Sequence, residues 1–266
     1  MTGRLAGKVA LVTGAGSVGP GWGNGRASAV RFAQEGATVF AIDLNREALD
    51  ETVARFDGPA GSIVPLRCDV TDTDAVQAVV ASCVEQAGRV DILVNNVGGS
   101  RAGGPVEITE EEWNKQLEFN LTTTFLTCKH VLPYMKEART GAIVNTASTS
   151  GIRWTGAAQA AYSASKAGVI AFTRSVAVQH APCGIRANTV IPGQLHTPMV
   201  EVRLAGQRSG GDVDKLLEQR LSRIPIGFMG DGRDTANVAL FLASDEARFV
   251  TGTEVVVDGG MSARCD

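Results

Sequence analysis

The sequence predicts an α/β fold: a doubly wound parallel sheet with helices on both faces, built as one domain over residues 1–266. Three observations carry this expectation. A β-branched run, KVALVT (8–13), enters a glycine-dense turn that opens a helix. Short apolar runs then alternate with helical patterns along the chain, a spacing that requires parallel pairing through right-handed crossovers. Polar residues or glycines stand where these runs end, at Gly14, Asp43, Asp69, Asn96, Ser148 and Pro192-Gly193. Ligands of such sheets bind at that edge.

Taken in order, the run at 8–13 is followed by a glycine-rich segment, 14–25, and a helical pattern from Arg26 to Gln34. The next strand, TVFAI, stops at Asp43. Strand, glycine turn, helix, strand and acid together read as a Rossmann-type dinucleotide site. The glycines admit a pyrophosphate to the helix N-terminus, and the acid accepts hydrogen bonds from ribose hydroxyls while repelling a 2′-phosphate. A helix is expected over 45–56, a strand over 62–67 and a helix from about Asp74 to Gly88. A buried strand at 91–96 runs into Val97-Gly98-Gly99. Thr109 followed by three glutamates is a capping-box start for one long helix through Glu137, which contains Asn120. Further strands are expected at 141–148 and 184–193, with a helix between them reaching about His180.

That last helix carries Tyr162-Ser163-Ala164-Ser165-Lys166. Tyr162 and Lys166 stand at i and i+4 and share a face. A phenol is a poor acid/base near neutrality, with a pKa of about 10, and a cation one turn away favours its phenolate. The pair is a device for moving a proton on an alcohol oxygen.

Composition excludes several function classes. Charged residues are 20% and the net charge is −3, which gives no reason for a nucleic-acid or anionic-membrane partner. No apolar run approaches the ~18 residues of a spanning helix. The first residues lead straight into a strand without the pattern of a signal peptide, so a cytoplasmic location is expected. Five cysteines and three histidines are scattered, so neither disulfides nor a metal site is expected.

In their order and separations these motifs resemble the short-chain dehydrogenases/reductases, in their single-domain form, over essentially the whole chain. The residues that carry the resemblance are Thr13-Gly14, Asp69-Val70, Asn95-Asn96-Val97-Gly98, Asn120, Ser148, Tyr162-x-x-x-Lys166, Pro192-Gly193 and the run 255–260. The 28 positions from Asn120 to Ser148 are as expected for the family. The resemblance implies a nicotinamide-dependent alcohol/carbonyl oxidoreductase, with a homotetrameric assembly. It makes Tyr162 the acid/base, Ser148 the group that orients the substrate oxygen, and Lys166 a ligand of the nicotinamide ribose that favours the tyrosinate. It gives Asn120 a water in a proton relay, Asp69 and Val70 a contact with adenine, and Leu195 and Thr197 the carboxamide. Asn96, Gly98, Pro192 and Gly193 complete the cofactor site.

The chain departs from the family pattern in two places. Eight residues separate Gly14 from Gly23, so Gly14, Gly23 and Gly25 are the matching glycines and about five residues are inserted within 15–22. Trp22, on that insertion, either covers the pyrophosphate or packs the loop down. Ser148 and Tyr162 are 14 positions apart, one more than expected. The loop 152–159 absorbs the difference and is expected to line the substrate pocket through Trp154 and Gln159. His196 reads as a loop histidine. Residues 198–224 are expected to form a lid, and Arg101, Arg153 and Arg203 read as solvated. The resulting expectation is an NAD-dependent enzyme, with NADP less favoured, acting on a small secondary alcohol or its ketone. A 3-oxoacyl-thioester reductase using NADPH and a non-catalytic dinucleotide sensor are the alternatives.

Overall fold

The computed structural model describes residues 3–265. Seven parallel strands form one sheet in the order β3-β2-β1-β4-β5-β6-β7. They are β1 (Val9–Thr13), β2 (Thr38–Asp43), β3 (Ser62–Arg67), β4 (Ile92–Asn95), β5 (Gly141–Thr146), β6 (Ile185–Pro192) and β7 (Glu254–Val257). The helices are α1 (Asn24–Gln34), α2 (Arg46–Ala54), α3 (Thr73–Ala87), α4 (Glu110–Leu117), α5 (Thr123–Ala138), α6 (Ala160–His180), α7 (Ala205–Arg208), α8 (Val213–Leu221) and α9 (Gly232–Ala243). The strand order reverses between β1 and β4, the switch point at which a doubly wound sheet opens a crevice.

Alternation along each strand fills both faces. Ala10, Val12, Val39 and Val94 point to the layer holding Phe32 of α1 and Leu240 of α9. Val9, Leu11, Phe40 and Leu93 point to the opposite layer, against Val80 of α3, Met135 of α5 and Val176 of α6. Both faces are covered by helices, which is why the strands read as near-continuous apolar runs.

Helix starts follow the caps in the sequence. Asn45 accepts from the Ala48 N–H, Asp72 from those of Asp74 and Ala75, and Thr109 from that of Glu112. Gly88 ends α3 in the left-handed region at φ 75°.

The long helix expected from Thr109 is present as unbroken helical backbone from Glu110 to Ala138, with a π turn at Glu118–Thr122 that joins α4 to α5 and carries Asn120. A second π turn, Val200–Leu204, opens the 198–224 segment before α7 and α8. A π turn adds one residue without altering composition, so apolar periodicity does not reveal it.

The strand register sets a polar row beneath the sheet's C-terminal edge. Ile42, Thr13, Asn95, Asn145 and Thr189 are successive partners across β2, β1, β4, β5 and β6. Asn95 Oδ1 accepts from Thr127 Oγ1 at 2.8 Å, and Asn95 Nδ2 donates to Asn145 Oδ1 at 2.9 Å. Asn145 Nδ2 in turn donates to Thr173 Oγ1 at 2.9 Å. This buried chain ties β4 and β5 to α5 and α6, and its members have protein partners in place of water.

Candidate active site

A cleft of about 860 Å³ runs along that edge, between the strand-end turns and the 198–224 segment. At one end it is lined by Gly14, Gly23, Gly25, Asp43, Asp69 and Val70. At the other it is lined by Asn96, Gly98, Ser148, Tyr162 and Lys166, roofed by Pro192, Gly193, Leu195 and Thr197.

The first end sets an uncapped helix start beside a fixed carboxylate. Gly23 is the N-cap of α1 and offers no side-chain cap, and the first turn holds no acid. Its leading N–H groups therefore have no side-chain partner, the condition for anion binding at a helix N-terminus. Gly25 lies against the Gly14 carbonyl oxygen so closely that a β-carbon there would overlap it. Asp43 is held rigidly: Oδ2 accepts from the Gly16 N–H and Oδ1 from the Asn45 N–H, each at 3.0 Å. Arg46, which lines this end of the cleft, pairs with Asp50 at 2.9 Å. Asp69 both caps a turn and lines the cleft; hydrogen bonds from the Thr71 hydroxyl and N–H hold its carboxyl below the usual range.

The inserted loop is anchored from beneath. Arg26, completely buried, donates through Nη1 to the Gly21 carbonyl at 3.1 Å and the Gly19 carbonyl at 3.4 Å. Its other nitrogens reach Thr52 Oγ1, the Ala48 carbonyl and Glu51. The loop in turn abuts the 198–224 segment at Pro198 and Val202. Trp22 does not line the cleft. The guanidinium groups of Arg55 and Arg233 lie 5.2 and 5.8 Å from its ring centroid. Of the two roles left open for Trp22, the structure selects loop packing.

The second end gathers the expected proton-transfer groups. Ser148 Oγ accepts from the Ser150 N–H at 3.2 Å, which leaves its own proton to donate into the cleft. Lys166, 3% exposed, donates from Nζ to the Thr146 carbonyl at 2.9 Å and lies 5.9 Å from the centre of the Tyr162 ring. Burial pushes the Lys166 ammonium down to about 8. Asn120 sits behind the cleft wall with no exposure. Its amide accepts from the Gly99 N–H and donates to the Gly99 and Gln116 carbonyls, at 2.9, 3.1 and 2.9 Å. Both Nδ2 hydrogens are committed, so only Oδ1 retains capacity for a water.

The two substrate residues expected on the 152–159 loop are corrected. Trp154 is 76% exposed and borders a separate, shallower depression with Arg153 and Arg223. Gln159 is buried and donates to Ser150 Oγ at 2.6 Å and Thr155 Oγ1 at 3.1 Å, bracing the loop from within. Neither lines the cleft. His196 is exposed and meets Glu201 at 2.9 Å. Phe119, Arg203 and Arg220 do line the cleft, and sequence reasoning did not assign them there. No spacing signal marks them, because each sits on a π turn or on the segment folded across the cleft.

The residues present fit a nicotinamide dinucleotide: an uncapped helix start, a fixed acid, and a buried Asn96 Nδ2 with no partner among the described residues. Among those residues no group of histidine, cysteine and carboxylate side chains has the clustering of a metal site, and no helix is long and apolar enough to cross a membrane.

Comparison with known proteins agrees with this geometry. A family model described as enoyl-(acyl carrier protein) reductase matches residues 20–262. The chain is 43% identical to 3-oxoacyl-[acyl-carrier-protein] reductase FabG of Thermotoga maritima, covering 97% of this chain and 99% of that one. It is 39% identical to 2,5-dichloro-2,5-cyclohexadiene-1,4-diol dehydrogenase LinX of Sphingobium indicum, covering 98% and 99%. A crystal structure from Burkholderia xenovorans, described as a short-chain dehydrogenase/reductase, superposes with a TM-score of 0.96 at 63% identity, covering 99% of this chain and all of that one.

Proposed function

Because this chain belongs to the short-chain dehydrogenase/reductase family of oxidoreductases, we propose that it interconverts a secondary alcohol and its ketone using NAD(H). The observation that carries this reading is the meeting of Ser148, Tyr162 and Lys166 at one end of the cleft. When bound, the nicotinamide dinucleotide supplies the hydride acceptor or donor, and the protein supplies position and electrostatics. Gly14, Gly23 and Gly25 hold the pyrophosphate, Asp43 the adenosine ribose, and Asp69 and Val70 the adenine. Asn96, Gly98, Pro192, Gly193, Leu195 and Thr197 hold the nicotinamide half.

In alcohol oxidation the Ser148 hydroxyl donates a hydrogen bond to the substrate oxygen, keeping its own proton, and fixes that oxygen's place. Tyr162, as phenolate, takes the carbinol proton, and Lys166 stabilises that charge from one helical turn away. The proton then leaves along Lys166 and a water on Asn120 Oδ1. Reduction runs the same moves in reverse. NAD is favoured over NADP because the rigid Asp43 carboxylate repels a 2′-phosphate and Arg46 is already paired. The 198–224 segment acts as the substrate lid. We place the enzyme in the cytoplasm as a homotetramer. The exposed Phe125, set edge-on to Phe172, and Val256 on the edge strand β7 offer apolar surface for that assembly.

A 3-oxoacyl-thioester reductase is a second reading, favoured by the identity with the Thermotoga maritima protein. One assay separates the two: turnover of secondary alcohols and of 3-oxoacyl thioesters with each cofactor, comparing wild type with Tyr162→Phe. The proposal expects NAD⁺-linked alcohol oxidation that falls by at least ~10³-fold in the variant while NADH binding is kept. Activity confined to NADPH and thioesters favours the second reading, and a fully active Tyr162→Phe overturns both.

A further inference from the structure

Three arginines read as solvated in the sequence, Arg101, Arg153 and Arg203, and the structure sets one of them on the cleft. Arg101 pairs with Glu112 at 2.7 Å. Arg153 lies beside the separate depression and reaches the Arg264 carbonyl. Arg203 alone of the three lines the cleft, and among the described residues no carboxylate pairs with it. Its position is specific. A β-carbon built on Gly99 would lie 3.7 Å from Arg203 Nη1 and 3.6 Å from Phe119 Cε1. Gly99 is the residue that Asn120 clamps through both its N–H and its carbonyl, and a β-carbon built on the neighbouring Gly98 would lie 2.9 Å from Lys166 Nζ. The guanidinium therefore hangs over the reacting end, not the adenosine end.

Charge is divided along the cleft in the same sense. The acids that line it, Asp43, Glu47 and Asp69, all belong to the adenosine end, where the one cation lining it, Arg46, is paired with Asp50. Lys166, Arg203 and the buried Arg220 belong to the other, where Arg220 Nη1 donates to the Leu195 carbonyl at 3.2 Å and ties α8 to the roof. Arg203 itself stands on the second π turn, just as Asn120 stands on the first. Such turns are rare and are frequent at functional sites, where they re-aim a side chain.

We propose that the substrate is anionic, a short hydroxy acid or oxo acid whose carboxylate lies a few bonds from the reacting carbon and is bound by Arg203. This rests on the alcohol/ketone reading above and narrows it. A planar guanidinium matches a carboxylate in a bidentate pair, and both Arg203 and the half-buried Phe119 reach the same point beside Gly99. Proximity to the Gly98-Gly99 corner selects short acids over chains whose only charge is a remote phosphate.

The test has two arms. Binding of acetoacetate and of butyrate to the enzyme–NADH complex is followed by NADH fluorescence in wild type, Arg203→Met and Arg203→Lys. Oxidation by NAD⁺ is then compared for 2-, 3- and 4-hydroxy carboxylates, their methyl esters and 2-butanol. The proposal expects the acids to be preferred over their esters by at least ~10-fold in kcat/KM. Arg203→Met is expected to lose ~30-fold or more on the acids, chiefly in KM, with less than ~3-fold change on the esters, and Arg203→Lys is expected to be intermediate. Added salt should raise KM for the acids only. Turnover of neutral alcohols or long thioesters, with no Arg203-dependent carboxylate binding, overturns the inference and leaves the dehydrogenase reading standing. Arg203-dependent binding without turnover of any alcohol does the opposite.

Discussion

Asn120 Oδ1 and Lys166 Nζ converge on one point beside Gly98, where a β-carbon would lie 2.7 Å from the first and 2.9 Å from the second. One element is a π turn and the other a helix after β5, so a single glycine sets their spacing. Gly98→Ala must displace one or both groups. Misplacement of catalytic groups by about an ångström costs on the order of 10²-fold in rate. We expect kcat to fall by that amount with the melting temperature little changed. Activity within threefold of wild type would mean that this convergence is not needed for turnover.

The buried lysine gives a pH signature. An unfolded lysine keeps its proton to about pH 10.4, whereas burial brings folded Lys166 down to about 8. Between these values the unfolded chain holds the additional proton, so this residue's contribution to stability rises with pH through that window. Below pH 8 its desolvation is a constant penalty, on the order of 3 kcal/mol at 1.36 kcal/mol per pKa unit. Lys166→Met should therefore be more stable than wild type at pH 7, with the advantage shrinking by pH 10. The buried thiols of Cys68, Cys83 and Cys128, pushed up to about 11, 12 and 12, act in the opposite sense but equally in both proteins. Urea midpoints of the cofactor-free proteins at the two pH values check this, and a pH-independent difference refutes it.

Arg26 holds the inserted loop by its carbonyls, so Arg26→Met leaves buried acceptors unpaired. The loss should be about 2–4 kcal/mol of stability. Because the loop borders the proposed pyrophosphate site, NADH affinity should fall by about tenfold. Arg26→Lys should recover little of either, since an ammonium lacks the planar fork. Chemical denaturation and NADH titration measure the two effects separately.

Trp22 carries the reverse expectation. With Arg55 and Arg233 at 5.2 and 5.8 Å from its ring centroid, it contributes packing and cation–π energy of about 1 kcal/mol. Trp22→Ala should lower the melting temperature slightly and leave NADH affinity within about threefold. A tenfold loss of affinity would place the ring against the cofactor.

The sequence by itself determined the sheet, its helices and the cofactor-side motifs, because these follow local rules. Apolar alternation, caps such as Asp72 and Thr109, and Gly14, Gly23, Gly25 and Asp43 at strand ends are legible within about twenty residues of chain. Tyr162 and Lys166 are legible for the same reason, as neighbours on one helix turn. Only the tertiary structure decided what depends on residues far apart in the chain. Arg26 looks like any residue of an amphipathic helix until the carbonyls of Gly19 and Gly21 fold over it. Gln159 and Trp154 were legible as loop residues, but their direction depends on Ser150, Thr155 and solvent. Asn95 and Asn145 become partners only when β4 pairs with β5 in register. The two π turns set Asn120 behind the cleft wall and Arg203 on the cleft by shifting helical phase, a displacement that no local composition encodes.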